Sequence, residues 1–511
     1  MALRLNASYS WAVALAAAAT LNAAPDIGLL EAVKHNDVAA VRSLLERQVD
    51  VNAAEPDGAT ALHWAAYLED LETASLLVRA GSNVAAVNRF GATPLALACL
   101  NGNAPLVELL LEAGADANEI SPEGETVLMA ASRAGDVGVV KALLSHGADA
   151  NRKENWRGQT ALMWAAAEGH ADVVDALAAA GADLHLKSNT GFTALLFAVR
   201  EGRMEAVRRL VAAGADPNET FQPPGGENVR MTASSGQFPM PRKGTSALVL
   251  AVASAQYELG SMLLDMGADP NGAEQGWTAL HTITQARNSG AGNNTPSPEG
   301  SGNMDSLEFV RTIVKHGANL DARVTSRLRF GESALNHMGA TPFLLAARTA
   351  DAELMRLLAE LGADPLLPNA DGSTPLMVAA GLGTRSPGED AGTESEALEA
   401  VKVALELGND INAVDKNGET AMHGAAYKQF PSVVKLLAEN GADINVWNQK
   451  NASGWTPLRI AAGVFRTANF RFSDPTADAL REVMIAAGVS TELEPNPDPQ
   501  TPGERYPTPQ Q

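Results

Sequence analysis

Apolar positions along this chain come in paired short blocks, each pair closed by a glycine and followed by a polar stretch. The clearest pair is 161–167 and 171–180, where Ala, Leu, Met and Val dominate and the spacing predicts two short helices joined by a tight turn. Gly158 stands before the first block, suited to a turn that needs positive φ. Thr160 is a candidate N-cap whose hydroxyl can accept from a free backbone N–H. Gly169 stops the first helix, and Gly181-Ala182-Asp183 closes the second. From there to the next start glycine the chain carries turn formers and little apolar periodicity, so it reads as a hairpin-like finger.

This block is one copy of many. A glycine, one free residue, Thr or Ser, and two positions later a large apolar residue recur eleven times, beginning at Gly58, Gly91, Gly124, Gly158, Gly191, Gly244, Gly276, Gly339, Gly372, Gly418 and Gly454. The first five are spaced by 33, 33, 34 and 33 residues, and eight of the eleven are followed 23 residues later by a second glycine. A fixed period of this size marks a stacked repeat protein, because one such unit cannot bury its apolar face alone. Function is therefore expected on a long surface. Residues 26–52 form an incomplete capping repeat, with Leu29, Leu30, Ala32 and Val33 on one helix and Val38, Val41, Leu44 and Leu45 on another. Gln48 stands there where later units have their second glycine.

Thr93-Pro94-Leu95, Thr374-Pro375-Leu376 and Thr456-Pro457-Leu458 share a turn pattern with Thr60-Ala61-Leu62-His63, Thr278-Ala279-Leu280-His281 and Thr420-Ala421-Met422-His423. Gly-Ala-Asp endings follow at Gly114, Gly147, Gly181, Gly214, Gly267, Gly362 and Gly441. Over about residues 26–489 the chain thus resembles the ankyrin-repeat family. The resemblance implies an all-α repeat solenoid of stacked helix-turn-helix units with hairpin-like fingers, binding a protein partner on the concave face formed by fingers and first helices. Carried onto this sequence, the partner-binding finger positions are Phe90, Trp156, Arg157, Phe192, Trp277 and Trp455; the alternative for Phe192, Trp277 and Trp455, each directly after a glycine, is packing of finger against finger. The helix-end positions are Tyr67, Arg133, Arg200, Arg348 and Tyr427. Aromatic residues and Arg are the types that dominate binding hot spots. Trp64 and Trp164 occupy a slot held by Leu97 and Ala130 in sister repeats and read as packing between repeats.

Departures from the period mark inserts. The regular array runs over 53–218, a finger insert follows at 219–243, and repeats continue over 244–489 with inserts near 285–303, 320–338 and 382–394. The stretches 289–303 and 383–393 are rich in Gly, Ser, Asn and Pro and are expected to be mobile surface loops. Residues 221–243 mix prolines with Phe221, Met231, Phe238 and Met240, which either fold back on neighbours or are offered to a partner. The stretch 490–511 is Pro-rich and reads as an extended or disordered tail.

Composition sharpens the class of partner. With 38 basic and 60 acidic residues the formal net charge is −22, which argues against nucleic acid or an anionic membrane and leaves a basic or zwitterionic protein. The single cysteine, Cys99, sits in a helix slot that holds Ala66 and Ala166 in sister repeats and reads as a small buried hydrophobe. At the N-terminus, Arg4 precedes an uninterrupted run of apolar and small residues over 11–21, with Ala23 and Ala24 as cleavage candidates, so 1–24 reads as a secretory signal peptide. That points to an exported protein, periplasmic or extracellular, with no membrane span after signal removal; otherwise it is cytoplasmic. A monomer is expected.

Six of the nine histidines sit in slots set by the repeat: His63, His281, His423, His146, His316 and His170. They spread along the stack and form no metal set, and the chain has no His-Glu-x-x-His, Gly-x-Ser-x-Gly or phosphate-binding Gly-x-x-x-x-Gly-Lys motif. The expectation is a non-enzymatic scaffold without cofactor or metal. Its alternatives are a structural envelope scaffold working through the inserts, and a hydrolase or metal-dependent enzyme hidden in them.

Overall fold

The structure, a computed structural model, describes residues 28–122, 124–224, 241–288, 302–326, 334–385, 387–388, 390–463 and 473–493. They fall in two compact units, 1–240 and 241–511. The segments 1–27, 225–240, 289–301, 327–333, 464–472 and 494–511 lie outside the described residues, and with them the stretch expected to be a signal peptide, most of two inserts, part of a third and the Pro-rich tail.

In the first unit the helices are α1 (Gly28–Lys34), α2 (Val38–Glu46), α3 (Ala61–Tyr67), α4 (Leu71–Arg79), α5 (Pro94–Asn101), α6 (Ala104–Glu112), α7 (Val127–Ala134), α8 (Val137–Ser145), α9 (Ala161–Glu168), α10 (Ala171–Ala179), α11 (Ala194–Arg200) and α12 (Met204–Ala212). Each repeat is a helix pair. First helices pack on first helices from α1 through α3, α5, α7 and α9 to α11, and second helices on second helices from α2 to α12. The sequence dictates this arrangement. Ala65, Ala66, Ala98, Ala131, Ala165, Ala166 and Ala198 are fully buried, and side chains this small let first helices approach closely. Leu77, Leu110, Leu143, Leu177 and Leu210, one per repeat at near-constant spacing, form a buried row along the second helices.

Capping fixes where each helix begins. The hydroxyls of Thr93, Thr160 and Thr193 accept from backbone N–H groups three residues on, at 3.1 to 3.3 Å. Second helices instead begin at Asp37, Asp70, Asn103 and Asp136, whose side chains accept from their third following residue. Asn side chains then tie repeat to repeat: Asn118 Oδ1 accepts from Asp149 N at 2.8 Å, and Asn151 Oδ1 from Asp183 N at 2.7 Å. The fingers are held by turns, with no strand among the described residues; isolated antiparallel bridges join Ala54 to Thr60 and Ile120 to Thr126.

The second unit holds α13 (Ala247–Ala253), α14 (Tyr257–Asp265), α15 (Ala279–Arg287), α16 (Ser306–Lys315), α17 (Pro342–Arg348), α18 (Ala352–Glu360), α19 (Pro375–Ala379), α20 (Glu394–Glu406), α21 (Ala421–Lys428), α22 (Pro431–Glu439), α23 (Ile444–Trp447), α24 (Pro457–Ala461) and α25 (Asp474–Ala486). First helices again stack in sequence, α13 on α15, α17, α19, α21 and α24. The inserts differ from the composition-based expectation. Leu382, Thr384 and Ala391 are buried at 6%, 7% and 5% exposure, so the loop expected to be a mobile surface segment at 383–393 is built into the unit. Val324 and Leu335, from the lengthened finger near 320–338, are buried too, in a cluster with Ala340, Leu344, Leu345 and Val378. Apolar residues scattered in a polar loop were enough to anchor it.

Candidate partner-binding surface

The finger before Gly158 is the one that is a residue too long, and the extra residue changes what it presents. In the finger before Gly91, Asn88 stands three residues ahead of the glycine and its Oδ1 accepts from Phe90 N and Ala92 N at 3.0 and 2.9 Å. Before Gly158 the acceptor is Glu154, four residues ahead, and its longer side chain accepts from Arg157 N at 2.7 Å and Gln159 N at 3.0 Å. The next finger ties down the backbone: Asn189 N donates to Arg157 O at 2.7 Å and Asn189 Nδ2 to Trp156 O at 3.1 Å. On this fixed turn Trp156 projects at 79% exposure, with the Arg157 guanidinium 4.8 Å from its ring centroid. Two repeats earlier Phe90, 37% exposed, carries Arg89 at 4.7 Å in the same way. Two exposed aromatic rings, each paired with a cation, stand at finger tips of one unit.

Along the first helices of this unit the cation–ring theme continues at half-buried positions. Arg133 pairs with Glu125 at 2.9 Å and lies 5.2 Å from the Trp164 ring centroid. Tyr67 meets Trp64 edge-on with centroids 5.9 Å apart, and Trp64 Nε1 donates to Glu55 at 2.9 Å. Arg200 lies over both Phe192 and Phe197, at 4.9 and 5.0 Å. Phe192 itself departs from the expected role: at 1% exposure its ring is enclosed by Phe197 and by Phe221, 4.8 Å away. Phe221, the first apolar residue of the finger insert, folds back onto the array and covers it.

The second unit turns most of its expected positions inward. Trp277 packs half-buried against the Val324–Leu344 cluster. Trp455 is half-buried, its N–H held by Asn451 Oδ1 at 3.0 Å. Tyr427 corrects the helix-end expectation, since at 2% exposure it offers no surface. Its hydroxyl donates to Glu419 Oε1 at 3.0 Å, and Asn451 Nδ2 donates to the same oxygen at 2.8 Å. Burial pushes the Glu419 carboxyl up to about 8, against these two donors and with Asp415 adding to the rise. Arg348 also turns inward and lines a small cavity.

The histidines are explained by geometry. Thr60 N and Oγ1 both donate to His63 Nδ1, at 3.1 and 2.8 Å, so the proton must sit on Nε2, which donates to the Ala92 carbonyl of the next repeat at 3.0 Å. His281 is placed alike between Thr278 and the carbonyls of Ala322 and Ala340. His423 receives Thr420 N at 3.2 Å. Burial holds His281 and His423 down at about 4 and lowers His63, so all three are neutral. Burial likewise raises the Cys99 thiol, which keeps it protonated and unreactive. Among the described residues no group of three His, Cys, Asp or Glu side chains could hold a metal ion, and no helix is long and apolar enough to cross a membrane.

Comparison with known proteins agrees with this architecture. The family model for ankyrin repeats in three copies matches residues 29–121, 68–154, 101–188, 128–221 and 391–469, more than half of the chain. The B-cell lymphoma 3 protein homolog of Mus musculus is 31% identical over 254 residues, 49% of this chain and 45% of that protein. NF-kappa-B inhibitor alpha of Sus scrofa is 33% identical over 110 residues, covering 22% of this chain and 33% of its own. Protein phosphatase 1 regulatory subunit 12A of Mus musculus is 49% identical over 47 residues, 9% of this chain and 4% of that one. The chain spans less than half the length of these relatives. A solved structure, EF0377, an ankyrin repeat protein, covers 37% of this chain and 98% of its own at 28% identity and a TM-score of 0.35.

Proposed function

We propose that this chain, which belongs to the ankyrin-repeat family, is a non-enzymatic scaffold that binds a protein partner across the fingers and first helices of its first unit. The relatives support the coarse reading, being named as an inhibitor of NF-kappa-B and a regulatory subunit of a phosphatase. The observation that carries the finer one is Trp156, 79% exposed on a rigid, over-long finger with Arg157 stacked on its ring. A large ring left in water by a backbone that is fully hydrogen-bonded has no structural task there. Its position is also preorganised, so little conformational entropy is lost when a partner covers it. Arg89–Phe90 extends the surface, and Arg133 and Arg200 supply cations beside it. The formal charge of −22 makes the partner's face basic or uncharged.

Replacing Trp156 and Arg157 together by alanine tests this reading. The affinity for the partner captured by the wild-type protein should fall by roughly tenfold or more, the scale of a hot-spot truncation. The melting temperature should not move, because neither side chain is part of the core. Unchanged affinity in this variant and in the Arg89/Phe90 pair would defeat the assignment.

A further inference from the structure

The formal charge of −22 is not evenly spread over the fingers of the first unit. The fingers 50–58 and 116–124 each carry three acidic residues and no basic one, Asp50, Glu55 and Asp57 in the first and Asp116, Glu119 and Glu123 in the second. The finger 83–91 has Arg89 and no acidic residue, and 149–158 has Arg152, Lys153 and Arg157 against Asp149 and Glu154. These two cationic fingers are the ones whose tips expose an aromatic ring, Phe90 and Trp156. Local positive charge and exposed ring thus occur together, against the sign of the whole chain.

The tip at Trp156 also keeps its own acid out of reach. Glu154 is buried, its Oε2 accepting from Trp156 N and its Oε1 from Arg157 N and Gln159 N. Asp149, at the start of the finger, accepts from Asn151 N at 2.9 Å. Lys153 Nζ donates to Lys187 O of the next finger at 2.7 Å, which holds its charge beside the tip. Lys187 itself acts on Glu219. Arg89, Arg152 and Arg157 enter no ion pair among the described residues. A partner that covers the Trp156 ring must also take water from the Arg157 guanidinium, 4.8 Å from the ring centroid. A guanidinium taken out of water needs an acceptor, and a carboxylate matches its fork with two parallel N–H···O bonds. An apolar surface would leave those donors unmet. A Lys or Arg of the partner would meet three cations here, with Glu154 committed to the backbone.

We propose that the partner segment lying over Trp156 presents an apolar side chain flanked by an Asp or Glu, the ring taking the first and Arg157 the second. Phe90 and Arg89, 4.7 Å apart, serve a second such pair. Around these two points the partner face stays basic or uncharged, as the acidic fingers 50–58 and 116–124 require. A single strand of nucleic acid also offers rings and anions, but its phosphates would meet the acids of finger 116–124 between the two tips. The inference rests on the fingers of the first unit being the partner surface, and names the chemistry they select.

Selection of a random peptide library, displayed on phage, against the purified full chain tests it. The enriched sequences should carry an Asp or Glu within a few residues of an aromatic or large aliphatic side chain. The best of them, synthesised and titrated, should bind Trp156→Ala and Arg157→Ala roughly tenfold more weakly than wild type, with unchanged thermal melts. Replacing its acidic residue by the amide should cost a similar factor on wild type and little on Arg157→Ala, a coupling that a merely structural Arg157 does not produce. Arg157→Lys, which keeps the charge and loses the fork, should fall between. Enrichment of basic or wholly uncharged peptides whose binding is lost in Trp156→Ala overturns the inference and leaves the finger surface standing. Peptides indifferent to Trp156, Arg157, Arg89 and Phe90, or no enrichment at all, overturn both. Trp156-dependent binding of oligothymidine, tighter than that of the peptide, overturns it in favour of nucleic acid.

Discussion

Thr60 and His63 show how much one side chain can settle. Because His63 Nδ1 accepts from Thr60, the ring caps its own helix and, through Nε2, bonds the next repeat; protonation would turn the Nδ1 acceptor into a donor facing another donor. Stability should therefore respond to pH in a defined way. For His281 and His423 the folded state holds no proton between about 4 and the ordinary value of 6.5 while the unfolded state does, so stability rises with pH across that window. Glu419 has the opposite sign. Its folded carboxyl keeps a proton up to about 8 while the unfolded one loses it near 4.5, so stability falls as pH rises between them. Urea midpoints should thus peak near pH 6.5 and decline toward pH 8, and Glu419→Gln should remove the decline. A flat wild-type profile from pH 6.5 to 8 would refute the buried-carboxyl assignment. The histidine slots were legible in the sequence because they recur with the period. Glu419, Tyr427 and Asn451 were not, because their burial depends on three segments meeting across 32 residues of chain.

At the scale of the element, the period told the helices, their caps and their stops. Gly102, Gly135, Gly169 and Gly202 follow the first helices at positive φ, as a C-terminal stop requires. Glu69 fills the same slot at φ 60° with an exposed side chain. Left-handed backbone costs a non-glycine residue roughly 1–2 kcal/mol, and the extra freedom of glycine in the unfolded chain takes back part of that. Glu69→Gly should stabilise the first unit by about 0.5–1 kcal/mol in urea denaturation; a destabilised variant would show that Glu69 has a tertiary role. What the elements hid was the fate of the inserts. Composition made 383–393 a free loop, yet Leu382 and Ala391 on either side of its glycines bury it against α21. Phe192 misled in the same manner. Its slot, directly after a glycine, is buried in sister repeats too, at Ala59, Ala92 and Gln159, and Phe221 of the following insert closes over it here.

For the molecule as a whole, regular repeats place the fold and irregular ones place the individuality. The first unit keeps the period almost unbroken and offers the over-long finger with Trp156. The second breaks it repeatedly, and there Trp277 packs half-buried against a finger cluster, Tyr427 is buried and Arg348 turns inward. The most direct measurement of the central assignment is site-specific photo-crosslinking. A benzophenone amino acid replaces Trp156 in one protein and, in a control, the exposed Lys141 on second helix α8. Position 156 should yield a single dominant adduct with the partner and position 141 none. Equal adducts from both, or an adduct from 141 alone, would contradict binding through the fingers.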